Sequence, residues 1–375
     1  MRRRRLVAFG FRELRGVEGG IETHARELYS RLAPLGYEIT VLVRCGYRPA
    51  CSGDDVPGLE SKRVWAPRGK GVESFVHSFL CAGYCIAARP ELVHVHGIGP
   101  AVFAPLLRLA GLRVVVTHHG RDYDAAKWGR FARALLRIGE RAGVRHADAV
   151  ICVSDSIRRA VEASAGVRCH AIYNGAASGS GPYVRPTGRL GRLEPGSYVL
   201  MVGRITEHKR ILDVAAAMEA PALASRRLVV CGNTETDDPY AKRVRAAAAR
   251  NRRIVLAGYV APRELPWLYR HSACTVMAST YEGMPLAVLE ALACGARVLL
   301  SDIDAHEELG LPRAHYFERG NVADLALRLE RLLAAPRTDS GKLDERFDWS
   351  NIALQTAAVL DRVVQRPEQA AERSR

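Results

Sequence analysis

Short apolar runs alternate with helical stretches along almost the whole chain, and this alternation occurs twice with a break between. That pattern constrains the fold more than any other feature. A run of strand followed by helix, repeated, builds a parallel sheet with helices on its faces. The spacing predicts strands at 6–11 (LVAFGF), 38–43 (EITVLV), 91–97 (ELVHVHG), 113–120 (RVVVTHHG) and 149–154 (AVICVS). It predicts a second set at 197–204 (SYVLMVGR), 226–233, 253–259, 273–279 and 296–302. Between the sets, 174–196 is rich in Gly, Ser and Pro and has no period, which marks a linker. At 375 residues the chain is too long for one ordinary core and suits two domains. The expected organisation is α/β: two Rossmann-like doubly wound domains, 1–175 and 197–348, joined by the linker 176–196 and facing a central cleft. In such sheets the ligand crevice lies at the carboxyl ends of the strands.

The net charge of +15 is unevenly distributed. Lys and Arg against Asp and Glu give 27 − 16 = +11 for residues 1–180 and 28 − 24 = +4 for the remainder. An anionic partner or a membrane surface is therefore expected against the first half. The nine cysteines (Cys45, Cys51, Cys81, Cys85, Cys152, Cys169, Cys231, Cys274 and Cys294) are scattered and contain no CxxC pair. They read as reduced thiols of a cytoplasmic protein, with no disulfide or metal framework. No apolar run reaches the roughly 20 residues of a membrane helix. The start, MRRRRLVAFGF, reads as a first strand, because its apolar part is too short for a signal peptide.

Four stretches carry candidate chemistry. The first strand runs into GVEGGIETHARELY, where Gly16, Gly19 and Gly20 precede a helix whose N-terminus favours an anion. In VGRITEHKR, Arg204 ends a strand and Lys209 stands at the start of the next helix. Two cations there can clamp a diphosphate. In YEGMPLAVLEALACG, Pro285 suits a first helical turn and Gly295 a helix stop. Glu282 lies in the turn before that helix and Glu290 in its second turn, and the amides around Gly283, Met284 and Leu286 face a phosphate site. Glu290 has apolar neighbours and needs partners. In SDIDAHEE, the pair Asp302 and Asp304 has metal-binding spacing, but acids after a strand read better as helix caps, and no metal is expected.

Together GGIETHARELYSRLAPLGYEITVL, VGRITEHKR and EGMPLAVLEALACGARVLLSD resemble the retaining nucleotide-sugar glycosyltransferases of the GT-B fold, the bacterial "group 1" or family 4 class. The resemblance covers nearly the whole chain, and the E-x7-E pattern is its most specific part. It implies that Glu290 binds the ribose hydroxyls, Glu282 contacts the donor sugar, and Arg204 and Lys209 hold the diphosphate. The backbone N–H groups of Gly283, Met284 and Leu286 would serve the sugar and phosphate oxygens, with Pro285 shaping the turn between them. His119 matches the histidine that contacts the donor sugar, with His118 its immediate neighbour, and Gly19 and Gly20 would let the loop approach the donor. FDWSNIALQTAAVLDRVV resembles the terminal helix, here 349–375, that returns to the first domain. Arg210 and Ile211 stand where the family usually has a glycine.

The resemblance implies a hexosyltransferase that uses a nucleoside diphosphate sugar, a UDP-sugar by expectation, and no metal or other cofactor. The acceptor would be a hydroxyl of a polysaccharide, a lipid-linked glycan or a secondary metabolite such as an antibiotic. One rival is an epimerase of the same fold, which needs acid and base carboxylates and no acceptor. Another is a non-catalytic protein that binds a membrane or nucleic acid through its basic half. The segment from Lys127 through Arg130, Arg133, Arg137, Arg141 and Arg145 forms a cationic helix stripe, with Phe131, Leu135 and Ile138 free to pack elsewhere. A solvated face is the default for that stripe, and peripheral membrane contact is the alternative.

Overall fold

The computed structural model describes residues 3–14, 19–46, 56–67, 72–120, 130–176, 183–233, 238–337 and 343–372, without the side chains of 130–133, 135 and 366–372. The chain divides into two compact units, Met1–Gly175 with Trp349–Arg375, and Ala176–Asp348.

The first unit contains β1 (Arg4–Phe9), β2 (Tyr37–Arg44), β3 (Leu59–Val64), β4 (Leu92–His96), β5 (Val114–His118), β6 (Ala149–Cys152) and β7 (His170–Ala171). They form one sheet in the order β3-β2-β1-β4-β5-β6-β7, and every pairing is parallel. Strands buried on both faces read as continuous apolar runs, which is why most of them are visible in the sequence. The exceptions are the two-residue β7, too short to show a run, and β3, whose residues LESKRV are largely exposed, as suits a sheet edge, so no apolar run announces it.

The terminal helix Trp349–Glu372 packs on this unit by burying Ile352, Val359, Leu360 and Val363. Burial at about 1.5–3 kcal/mol per aliphatic side chain is ample to hold it. Asp361 anchors it further by accepting from Arg4 and from the Tyr37 hydroxyl.

The helix Arg130–His146 carries the described part of the cationic stripe, with Arg137, Arg141 and Arg145 exposed. Lys127 and the side chains of Arg130, Phe131, Arg133 and Leu135 lie outside the described residues. Ile138 does not pack as expected and is 64% exposed. The buried face is made by Gly139, Glu140, Gly143 and Val144, because glycines let this helix approach the helix Ile98–Ala101 closely. A Cβ at Gly143 would stand 2.5 Å from the Ala101 carbonyl oxygen. Gly143→Ala is therefore expected to destabilise the protein by about 1–2 kcal/mol, since overpacking outweighs the gain in helix propensity. Urea unfolding checks this, and a stabilised variant contradicts it.

The second unit contains β8 (Tyr198–Val202), β9 (Arg227–Cys231), β10 (Ile254–Gly258), β11 (Cys274–Met277), β12 (Val298–Ser301) and β13 (Tyr316–Phe317). Their order is β10-β9-β8-β11-β12-β13, again all parallel. Of the proposed linker, 177–182 lies outside the described residues. From 183 onward the segment belongs to the second unit and includes the short 3-10 turn Leu190–Arg192 and the buried Leu193. The described cysteines are free thiols, with Cys45 exposed and Cys169 half-buried; Cys51 lies outside the described residues. No helix among the described residues is long and apolar enough to cross a membrane.

Candidate functional site

In each sheet the strand order reverses once, between β1 and β4 and between β8 and β11. Loops leaving neighbouring strands at such a reversal diverge to opposite faces and leave a crevice at the carboxyl ends. In the second unit those loops are Gly203–Arg210 after β8 and Ala278–Pro285 after β11.

The two loops meet through an ion pair. Lys209 Nζ donates to Glu282 Oε1 at 2.6 Å, with the side chains 17% and 13% exposed. The Thr280 N–H donates to the His208 carbonyl at 2.8 Å and joins the loop backbones. Gly203 has a φ of +144°, and a Cβ there would lie 3.5 Å from Lys209 Cε, so glycine both makes the turn and leaves room for the lysine. Lys209 does not open a helix as predicted. It ends the 3-10 turn Glu207–Lys209, and the helix Ile211–Ala217 starts two residues on. Between them Arg210 is left-handed, with φ 53° and ψ 39°. The chain thus keeps a glycine-like turn with an arginine, whose Nε donates to Asp213 at 2.7 Å. Arg204 is exposed at the mouth of the same loop.

Burial pushes the Glu282 carboxyl up, but the charge and hydrogen bond of Lys209 outweigh it, aided by the Ser279 hydroxyl and by His306. The net shift is downward, so Glu282 is a carboxylate at neutral pH. Its partner is a lysine, not the dipole of the helix that follows. That helix, Leu286–Ala293, begins just after Pro285, with Val288 and Leu289 donating to the Pro285 carbonyl, and Gly295 follows its end. The earlier amides belong to the helix start. Met284, Pro285 and Leu286 are buried and Gly283 half-buried. Glu290, half-buried on this helix, accepts from the Tyr269 hydroxyl at 3.0 Å.

Sequence reasoning missed His306. It is fully buried, and its Nδ1 donates to the Ser301 carbonyl at 2.8 Å. Its Nε2 has no hydrogen-bond partner among the described residues, and burial lowers its pKa to about 4. It stands two residues beyond the DxD acids. Neither acid caps a helix: Asp302 accepts from the Arg319 N–H at 2.7 Å, and Asp304 is itself the first residue of the short helix Asp304–Glu307, which has no side-chain cap.

In the first unit Gly16 lies outside the described residues. Gly20 opens the helix Gly20–Leu32 with Gly19 before it, and a Cβ at Gly19 would stand 1.9 Å from Glu22 Oε2. The space above this glycine is filled by the chain's own Glu22, which accepts from Arg12 Nε at 3.2 Å.

His118 and His119 have different surroundings. His118 is fully buried: its Nδ1 accepts from the Gly120 N–H at 3.2 Å and its Nε2 donates to Glu140 at 2.6 Å. His119, half-buried, joins a group that sequence reasoning did not assemble. His96 Nδ1 and His119 Nε2 are 2.9 Å apart, His96 Nε2 and the Tyr29 hydroxyl 2.6 Å, and Tyr29 and His94 Nδ1 3.0 Å. His94 Nε2 and Thr117 Oγ1 follow at 2.7 Å. His24, whose Nδ1 meets Asn174 Oδ1 at 2.7 Å, lies alongside, and one nitrogen each of His24, His96 and His119 falls within a 4.8 Å group. Burial holds these imidazoles neutral: His24 is lowered to about 4, His94 to about 3, and His96 and His119 fall well below 6.5. The sequence signal was the alternating HVH of β4 beside the HH ending β5.

Two parallel doubly wound units are the architecture of the GT-B fold. Residues 19–175 match the glycosyl transferase 4-like domain and 189–351 the glycosyl transferases group 1. The chain belongs to the group 1 glycosyltransferases. It is 27% identical to the glycogen synthase of Mycobacterium tuberculosis, covering 92% of this chain and 91% of that one. It is 27% identical to a phosphatidyl-myo-inositol mannosyltransferase of Propionibacterium freudenreichii, covering 72% and 69%. Among solved structures it resembles sucrose-phosphate synthase from Thermosynechococcus elongatus, with a TM-score of 0.83 at 21% identity over 96% and 99% of the two chains. It also resembles Anabaena HepE in complex with UDP and glucose, with a TM-score of 0.73 at 16% identity over 95% and 99%.

Proposed function

We propose that this glycosyltransferase is a retaining enzyme that moves a hexose from a nucleoside diphosphate sugar to an acceptor hydroxyl. The acceptor class is a polysaccharide, lipid-linked or secondary-metabolite hydroxyl. The observation that carries the donor assignment is the Lys209–Glu282 pair at the reversal point of the second sheet, beside the helix start at Leu286. Lys209 and Arg204 hold the diphosphate, and the N–H groups of Gly283, Met284 and Leu286 take sugar and phosphate oxygens. Glu290, oriented by Tyr269, binds the ribose hydroxyls, and ionised Glu282 accepts from the donor sugar. His119 supplies the donor-sugar contact from the first unit. UDP is the nucleotide to test first, since the Anabaena structure of this fold holds it.

The chemistry asks for charge stabilisation more than for proton transfer. As the sugar–phosphate bond breaks, negative charge grows on the diphosphate, and the cations and helix-start N–H groups assigned to it stabilise that charge. The departing phosphate oxygen then takes the acceptor proton on the face it leaves, so the anomeric configuration is kept. No metal or further cofactor is assigned a part. A second reading adds peripheral membrane contact through the helix Arg130–His146, favoured by exposed Ile138 between exposed Arg137 and Arg141.

The test is proton NMR of the product formed from an α-linked UDP-sugar and a sugar acceptor. The small anomeric coupling of an α-product is expected. A β-product contradicts retention, and an epimerised donor formed without acceptor supports the epimerase instead.

A further inference from the structure

The run Thr117, His94, Tyr29, His96 and His119 is linked by four hydrogen bonds of 2.6–3.0 Å, and its first four members are sealed from solvent. A neutral imidazole has one N–H and one bare nitrogen, so a ring that accepts on one side donates on the other. Tyr29 passes the same constraint along, because its one proton goes either to His94 or to His96. The run therefore has two self-consistent states, and any mixture leaves two lone pairs or two protons facing each other in a dry interior.

Thr117 decides between them. If protons point inward from His119, His94 donates to Thr117, and the buried threonine proton needs another acceptor. Among the described residues Thr117 Oγ1 has no second hydrogen-bond partner. If they point outward, Thr117 donates to His94 Nε2 and nothing is stranded. His94 Nδ1–H then donates to Tyr29, Tyr29 to His96 Nε2, and His96 Nδ1–H to His119 Nε2.

We propose that Thr117, His94, Tyr29 and His96 are positioning residues that fix His119 with its proton on Nδ1, so that it meets an oxygen of the donor sugar as a neutral hydrogen-bond donor. This rests on the reading of His119 as a sugar contact. The relay also accounts for the packed rings of His96 and His119, 5.2 Å apart at 25°, since each ring's orientation is set by the nitrogen it must present. Coordination of a metal by His24, His96 and His119 would need a His96 nitrogen, and both are spent, Nδ1 on His119 and Nε2 on Tyr29.

The experiment uses histidine labelled with nitrogen-15 in the full chain, with long-range proton–nitrogen correlation to read the His119 tautomer and His119→Gln to assign it. The expected wild-type signal is the Nδ1–H form. Tyr29→Phe removes only an oxygen, and in it the signal should redistribute toward Nε2–H. In parallel kcat/KM for the donor should fall about 10- to 100-fold, at unchanged circular dichroism. His96→Leu should do the same, while His96→Asn, which keeps a donor near His119 Nε2, should recover most of the activity. A wild-type Nε2–H form, a tautomer unmoved in Tyr29→Phe, or one equivalent of tightly bound metal in the purified protein overturns the relay. If the tautomer behaves as stated but His119→Gln turns over donor normally, the reading of His119 at the sugar is what fails.

Discussion

Lys209→Ala is expected to slow sugar transfer by about 100- to 1000-fold, the range seen when one preorganised charge at a developing anion is removed. Of the two cations assigned to the diphosphate, Lys209 is the one fixed in place: Gly203 leaves it room and Glu282 holds its ammonium at 2.6 Å. The same substitution leaves a nearly buried carboxylate without its cation, so it should also cost about 2–4 kcal/mol of stability. The acid limb of stability reports this separately. The folded-state pKa of Glu282 lies below its ordinary 4.5, so its contribution is complete above that value and is lost as pH falls through the folded value. Without Lys209 burial is opposed only by the Ser279 hydroxyl and His306, the carboxyl rises, and the carboxylate opposes folding as pH climbs past 4.5. Lys209→Met paired with Glu282→Gln should restore stability and leave the rate low. Single-turnover kinetics with urea unfolding at pH 4 and 7 measure both effects; a variant with wild-type rate contradicts the role given to Lys209.

Acidification from pH 7 to 5.5 is expected to remove several kcal/mol of stability. His24, His77 and His306 are lowered to about 4 and His94 to about 3, while His96 and His119 sit well below 6.5, in each case first through burial. In the unfolded chain all six bind protons as pH falls through 6.5, whereas the folded chain keeps them neutral. Stability is therefore flat above that value and falls progressively below it, by about 1 kcal/mol per histidine at pH 5.5. Against a typical total of about 5–15 kcal/mol, that is enough to approach unfolding. Urea midpoints at pH 7.5, 6.5 and 5.5 decide the matter; a midpoint unchanged to pH 5.5 means that the cluster is not sealed as described.

The parts of this fold that sequence exposes are those whose physics is local. Strands buried on both faces must be apolar, so β1, β2, β4 and β5 stand out, whereas edge strand β3 carries LESKRV and does not. The helix stop at Gly295 is equally local. Lys209 and Glu282 were each visible as candidates, but their contact spans 73 positions and follows from the strand order that places β8 beside β11. Tyr269 and Glu290 meet for a similar reason. His94 and His96 look like interruptions of an apolar strand until β5 is set beside β4 and the helix Gly20–Leu32 delivers Tyr29. Ile138 misled because its helix packs through glycines, leaving the apolar side chain outside.

Calorimetric titration with a panel of nucleoside diphosphate sugars, UDP-glucose first, tests the donor site most directly when run on the wild type and on Glu290→Ala. At least one donor is expected to bind the wild type saturably in the micromolar range. Loss of the ribose contact should weaken that binding about 10- to 100-fold, the equivalent of one to two charge-assisted hydrogen bonds. Binding of no donor by the wild type, or equal affinity in the variant, would contradict the site.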